Sequence, residues 1–269
     1  MPYLDLPSHR LHYRVDGSTG PWLVFCNSLG TELTMWDAQV AGLEDRFRIL
    51  RYDRRGHGGS GAPGGPYTMG DLGGDVLALM DALEIGRAHF CGLSIGGLTG
   101  QWLALNAPER FDRLALCATA ARIGSAESWR DRIEAVRANG LAGMTDATRE
   151  RWFTPEFAAQ NPAIVDAILD RFAATSAEGY AGCCAALARA DFRDTLDRIS
   201  NPVLAIAGAD DAVCPPTDLA MIADTVQDGA LRVLPGRHIV NVESATAFNT
   251  ALIAFLSQDH PCNNAEYAL

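Results

Sequence analysis

The stretch Cys91-Gly92-Leu93-Ser94-Ile95-Gly96-Gly97 restricts what this chain can fold into more than any other. It follows a short apolar run, Arg87-Ala88-His89-Phe90, and opens a helix-like segment from Gly97 to Leu105. The spacing predicts a strand, a tight turn and a helix. A serine flanked at two residues on either side by Gly92 and Gly96 fits an elbow with a strained backbone. There, only neighbours without side chains let strand and helix approach closely enough to expose the hydroxyl. An ordinary Gly-Ser turn is the bland alternative, and the flanking strand and helix are what favour the elbow.

A chain of 269 residues that is 48% hydrophobic can bury a large core, as one domain with an insertion or as two small domains. No apolar run approaches the roughly 20 residues of a membrane span. The start Met1-Pro2-Tyr3-Leu4-Asp5 lacks the charged-then-apolar order of a signal peptide, so a cytoplasmic location away from membranes is expected. The net charge of -11, from 33 acids against 22 bases, disfavours nucleic acid and anionic surfaces as partners. All 22 bases are arginine. The absence of lysine excludes pyridoxal-phosphate Schiff bases, lysine-based aldolases and the Walker phosphate loop. The 7 cysteines form no C-x-x-C pair, and Cys26, Cys91 and Cys117 sit in apolar runs, which suits free thiols in a reducing compartment. The adjacent Cys183-Cys184 have no histidine cluster near them and read as core packing on a helix, so no metal is expected.

Strand-like and helix-like segments alternate along the chain. Strands are predicted at Leu11 to Val15, Trp22 to Cys26, Arg48 to Tyr52, the run before Ser94, and Leu114 to Cys117, with helices near Trp36 to Leu43 and Met69 to Leu83. This succession predicts an α/β class with a mostly parallel, doubly wound sheet. The rhythm breaks over 121–196, where four helix-like segments (Ser128 to Ala138, Thr145 to Trp152, Pro162 to Phe172, Ser176 to Ala188) predict an inserted helical cap. It resumes with strands at Pro202 to Ala207 and Leu231 to Leu234 and helices at Leu219 to Val226 and Ala245 to Leu256. The core is therefore expected at 1–120 and 197–257, with a polar tail at 258–269 expected to fray.

If Ser94 is a nucleophile it needs a base, because a hydroxyl attacks poorly at neutral pH unless an imidazole takes its proton. Of the six histidines, His238 follows the last predicted strand on a loop at the same sheet edge as the elbow; His57, in Arg54-Arg55-Gly56-His57-Gly58, is better read as structural. The run Gly208-Ala209-Asp210-Asp211 leaves a buried strand and supplies an acid to orient the imidazole. Spacing alone does not separate Asp210 from Asp211.

With these residues the chain resembles the α/β-hydrolase family over nearly its whole length. That family's G-x-x-D pattern falls on Gly208 and Asp211 and so favours Asp211. The resemblance implies an oxyanion hole made by the N–H groups of Ile95, after the nucleophile, and of Leu29, in the loop Cys26-Asn27-Ser28-Leu29-Gly30-Thr31. Many relatives carry His-Gly where this chain has Asn27-Ser28.

The same loop is similar to that of the 3-oxoadipate enol-lactonases, as are Met35-Trp36, Tyr52 to Gly58, Gly65-Pro66-Tyr67-Thr68 and Phe90 to Ser94. In the cap the matching stretches are Ala120 to Ser125, Arg151-Trp152-Phe153-Thr154 and Glu178-Gly179-Tyr180. This resemblance implies opening of an anionic enol-lactone ring in catabolism of protocatechuate or catechol, with no external cofactor. An acidic protein must offset the repulsion of an anionic substrate locally, and arginine pairs both carboxylate oxygens. Arg54, Arg122 and Arg132 are the candidates, with Trp129 covering the lactone. Rival readings are a broad carboxylesterase, a cofactor-free haloperoxidase-type enzyme, and a non-catalytic small-molecule receptor.

Overall fold

Strands that are apolar along their whole length need cover on both faces of a sheet. The structure, a computed structural model that describes residues 2–257, meets that need with one sheet between two layers of helices. Its strands are β1 (Tyr3–Asp5), β2 (Arg10–Asp16), β3 (Trp22–Cys26), β4 (Arg48–Tyr52), β5 (Ala88–Leu93), β6 (Phe111–Cys117), β7 (Val203–Gly208) and β8 (Gly229–Leu234). They lie in the order β1-β2-β4-β3-β5-β6-β7-β8. β1 and β2 pair antiparallel at one edge, and every pairing from β4 to β8 is parallel. All residues of β5 and β7 are buried. The chain leaves β3 toward β4 on one side and later enters β5 on the other. Loops after β3 and β5 therefore diverge at a crevice where ligands characteristically bind.

Helices α1 (Asp37–Leu43), α2 (Met69–Ala82) and α3 (Ile95–Asn106) precede β6. Between β6 and β7 come α4 (Ala126–Asn139), α5 (Thr145–Trp152), α6 (Pro155–Gln160), α7 (Pro162–Ala173) and α8 (Ala177–Arg189), with α4 packed along α8. The core closes with α9 (Pro216–Thr225), the single turn α10 (Val240–Glu243) and α11 (Ala245–Leu256). Sequence reading anticipated four helices between β6 and β7, not five. The short α6 is too brief for a periodic signal, but it starts on Pro155 with Thr154 accepting the Phe157 N–H, a recognisable helix start. β1 and α10 were missed for the same reason of length. Helix α3 begins at Ile95 rather than Gly97, because the Ser94 carbonyl already accepts the Leu98 N–H.

The described cysteines are free and buried, and Cys91 and Cys117 face each other across β5 and β6 with sulfurs 3.8 Å apart. No helix among the described residues is long and apolar enough to cross a membrane. The expected frayed tail lies outside the described residues.

At the carboxyl end of β3, Asn27 locks three elements together. Its amide donates to the Tyr52 carbonyl at 2.8 Å and its oxygen accepts the indole N–H of Trp36 at 2.9 Å. Trp36 is fully buried and stacks on Phe25 with ring centroids 4.4 Å apart. Removing the amide would leave a buried donor and a buried acceptor unpaired, each costing about 1–3 kcal/mol. Asn27→Ala is therefore expected to lower unfolding free energy by about 2–6 kcal/mol in urea titrations, and a loss under about 1 kcal/mol would show that water replaces both bonds.

Candidate active site

The elbow is formed where β5 meets α3. Ser94 has φ 61° and ψ -118°, a conformation that costs a residue with a side chain about 1–3 kcal/mol and persists only when its surroundings hold it. Here its N–H donates to the Cys117 carbonyl at 2.9 Å, and its carbonyl accepts from the Thr119 hydroxyl at 2.8 Å. The flanking glycines are explained by close backbone approach. A Cβ on Gly92 would stand 2.2 Å from the Gly96 carbonyl oxygen, and one on Gly96 would stand 2.2 Å from the Cys26 carbonyl oxygen at the end of β3.

β7 and β8 run parallel to β5, so their loops emerge at the same edge of the sheet. His238 Nδ1 lies 2.9 Å from Asp211 Oδ2, both side chains being almost completely buried. The other carboxylate oxygen of Asp211 accepts the N–H groups of Val213 (2.8 Å) and Cys214 (3.1 Å). An ionised carboxylate has no proton to give, so Nδ1 donates and Nε2 is left as the basic nitrogen of the ring. Asp210, one residue earlier, is exposed. The ambiguity that spacing left between the two aspartates is thus resolved by side-chain direction.

Ser94 and His238 line one cavity of about 240 Å³ together with Leu29, Trp129 and Arg132. That volume lies just below the roughly 300–1,000 Å³ of drug-sized ligand sites and suits a smaller molecule. In the loop after β3, the N–H groups of Ser28, Gly30 and Thr31 reach Met35 Sδ (3.4 Å), His57 Nε2 (3.0 Å) and the Ser28 carbonyl (3.4 Å). The Leu29 N–H meets no acceptor among the described residues, and Ile95 starts α3, where helical N–H groups have no partner in their own helix. Among the described residues, these two backbone donors beside the serine meet no acceptor.

Two expectations for arginine are corrected. Arg54 does not line the cavity. It is fully buried beneath the loop after β3, with Nη2 2.6 Å from the Asn27 carbonyl oxygen. Its short distance from the sheet edge in sequence was misleading, because the side chain turns under the loop. Arg122 is also absent from the wall, since it lies on the surface 3.6 Å from Asp191. Arg132 does line the cavity, and Arg151, which sequence reading passed over, lines it too. Neither makes an ion pair with an acid among the described residues. Burial first, and then the charge of Arg132, pull the Arg151 guanidinium below its usual value. Burial raises the pKa of the Tyr180 hydroxyl, and the charge of Arg132 nearby opposes that shift. The indole of Trp129 is aimed by its N–H, 2.6 Å from the Ile123 carbonyl oxygen. A usable signal did exist: Thr148, Arg151 and Trp152 are spaced three and four apart and share the cavity face of α5.

A family profile described as alpha/beta hydrolase fold matches residues 21–158. The chain is 47% identical over 249 residues to 3-oxoadipate enol-lactonase 2 of Acinetobacter baylyi, covering 92% of this chain and 93% of that one. It is 41% identical over 239 residues to 3-oxoadipate enol-lactonase 1 of the same organism, covering 88% and 90%. The crystal structure of the enol-lactonase from Burkholderia xenovorans LB400 superposes with a TM-score of 0.93 at 46% identity, covering 96% of this chain and 100% of that one. The chain belongs to the α/β-hydrolase family.

For an α/β-hydrolase with this geometry, Asp211→Asn is expected to lower kcat on the order of 10⁴-fold by favouring the wrong imidazole tautomer. Asp210→Asn should leave kcat near wild type. Steady-state kinetics of the two variants check this, and the reverse ranking would transfer the orienting role to Asp210.

The site also carries an acid sensitivity. Burial, followed by the adjacent Arg54 charge, lowers the His57 pKa from 6.5 to about 3, so the ring is neutral and its Nε2 accepts the Gly30 N–H. The unfolded chain protonates His57 near pH 6.5 while the folded one does not until about 3. Stability from this group is complete above pH 6.5 and declines as pH falls through that window, by about 1.4 kcal/mol per unit. His89, lowered by burial to about 4, acts in the same direction. Urea unfolding at pH 7.5, 6 and 5 should show that decline, and His57→Gln should remove about half of it while His89 supplies the rest; a variant with the wild-type slope would assign the sensitivity to other groups.

Proposed function

We propose that this protein is a serine hydrolase that opens the enol-lactone of 3-oxoadipate to 3-oxoadipate, in the β-ketoadipate route of aromatic catabolism. The observation that carries the substrate class is the pair Arg132 and Arg151, two guanidinium groups without an acid partner among the described residues, on the wall of the cavity that holds Ser94 and His238. In a protein of net charge -11, cations left unpaired beside a nucleophile suit a small carboxylate. The names of the two Acinetobacter relatives and of the Burkholderia structure supply the particular lactone.

Ser94 Oγ attacks the lactone carbonyl while His238 Nε2 takes its proton. The carbonyl oxygen becomes an oxyanion beside the N–H groups of Leu29 and Ile95, where one such donor is worth about 3–4 kcal/mol. The ring C–O bond then breaks, and the enol oxygen leaves with the proton from His238 but stays tethered through the acyl chain. Water, deprotonated by His238, attacks the acyl carbon and Ser94 regains its proton. The released enol relaxes to the ketone. Asp211 holds the imidazole in the required tautomer throughout. Helices α4 to α8 form the cap that selects substrate, with Trp129 over the ring and the two arginines on the carboxylate.

The test is a comparison of enol-lactone with p-nitrophenyl acetate, an uncharged aryl ester. The wild-type kcat/KM should be higher for the lactone. Arg132→Met and Arg151→Met should each raise KM for the lactone at least about tenfold, about 1.4 kcal/mol, and scarcely change hydrolysis of the ester. Faster turnover of the simple ester would indicate a broad carboxylesterase, and unchanged lactone kinetics in both variants would place the carboxylate elsewhere.

A further inference from the structure

The guanidinium of Arg54 is a fully buried cation with no ion pair among the described residues. Its Nη2 donates to the Asn27 carbonyl at 2.6 Å and lies 3.3 Å from Cys26 Sγ, and its Nη1 donates to the Ser28 carbonyl at 3.3 Å. Its polar contacts are two backbone carbonyls and the Cys26 sulfur, and no carboxylate among the described residues pairs with it. Burial raises the Tyr52 hydroxyl well above its ordinary value and the Cys183 thiol to about 12, while His57 is neutral. A buried charge without a counter-ion is costly, and a neutral amide could tie the loop without that cost.

The direction of the charge gives it a use. The Ser28 carbonyl and the Leu29 N–H are opposite ends of one planar, conjugated peptide unit. A cation bonded to the carbonyl end draws electron density toward the oxygen and makes the N–H at the other end a stronger donor. Thr31 adds two neutral donors to the same carbonyl, its hydroxyl at 3.0 Å and its N–H at 3.4 Å. In a dry, low-dielectric interior the field of the guanidinium also reaches the cavity with little screening. We propose that Arg54 is a positioning residue that strengthens the oxyanion hole through the Ser28–Leu29 peptide, and that its missing counter-ion is the oxyanion formed during turnover. The inference rests on reading Ser94 as the nucleophile of an ester-cleaving enzyme, and goes beyond it in assigning a buried charge to transition-state stabilisation.

Arg54→Gln keeps a hydrogen-bond donor and removes the charge, whereas Arg54→Lys keeps the charge and loses the fork. Kinetics on the full chain with enol-lactone and with p-nitrophenyl acetate should be measured beside inhibition by phenylboronic acid, which forms an anionic tetrahedral adduct on a serine. Since a donor is weakened rather than removed, Arg54→Gln should lower kcat about 30-fold for both substrates, with KM within about threefold, and weaken boronate binding by the same factor. Arg54→Lys should stay within about fivefold of wild type in kcat and in boronate affinity. Unchanged boronate affinity in a slowed Arg54→Gln enzyme, or a lysine variant no better than glutamine, overturns the inference. If Arg54→Gln fails to fold, Arg54→Lys decides alone, and a loss of boronate affinity beyond about fivefold rejects the role. A wild-type enzyme that turns over neither substrate would instead remove the nucleophile reading itself.

Discussion

The molecule is organised around one strained residue. Ser94 sits at φ 61° because β5 ends beneath it and α3 starts immediately after it, and contacts from the ends of β6 and β3 hold it there. Cys117 and Thr119 anchor its peptide groups from the β6 side, while the carbonyl of Cys26 presses against Gly96 from the end of β3. The contact with Cys26 also couples Ser94 to the loop after β3. Both donors beside the serine, the N–H groups of Leu29 and Ile95, belong to segments that touch backbone to backbone. Their separation is therefore set by packing that cannot relax easily.

Charge placement follows a second logic. The chain carries an excess of acids, and many of its arginines are spent on visible partners: Arg55 on Asp75, Arg51 on Asp16, Arg137 on Glu178. Three arginines near the site break this habit. Arg132 and Arg151 face the cavity, and Arg54 lies under the oxyanion loop. With no acid partner among the described residues, they keep positive potential where a carboxylate and a transient oxyanion would sit, in surroundings that screen poorly.

Much of this was legible because the signals are local. The strands leading to Ser94, Asp211 and His238 are short apolar runs followed by glycine or proline turns, and parallel topology brings their carboxyl ends to one edge. The arginines were not legible in the same way. Arg54, Arg122, Arg132 and Arg151 are alike in composition and in distance from recognisable motifs, and their roles depend on which way each side chain turns. Arg122 follows β6 toward the site yet meets Asp191 on the surface, while Arg151 reaches the cavity because of its position on the face of α5.

The sequence by itself determined the α/β class, and it narrowed the candidate site to the elbow, His238 and two neighbouring aspartates, since each rests on periodicity or on the order of short motifs along the chain. Only the tertiary structure decided which aspartate meets the imidazole, which backbone N–H is left free in the loop after β3, and which arginines face the cavity. These depend on side-chain direction and on contacts between residues far apart in the chain, such as Asp211 with His238 and Arg54 with Ser28. Such contacts carry no periodic trace along the sequence, because they are settled by how helices and loops pack over a sheet whose strand order differs from chain order.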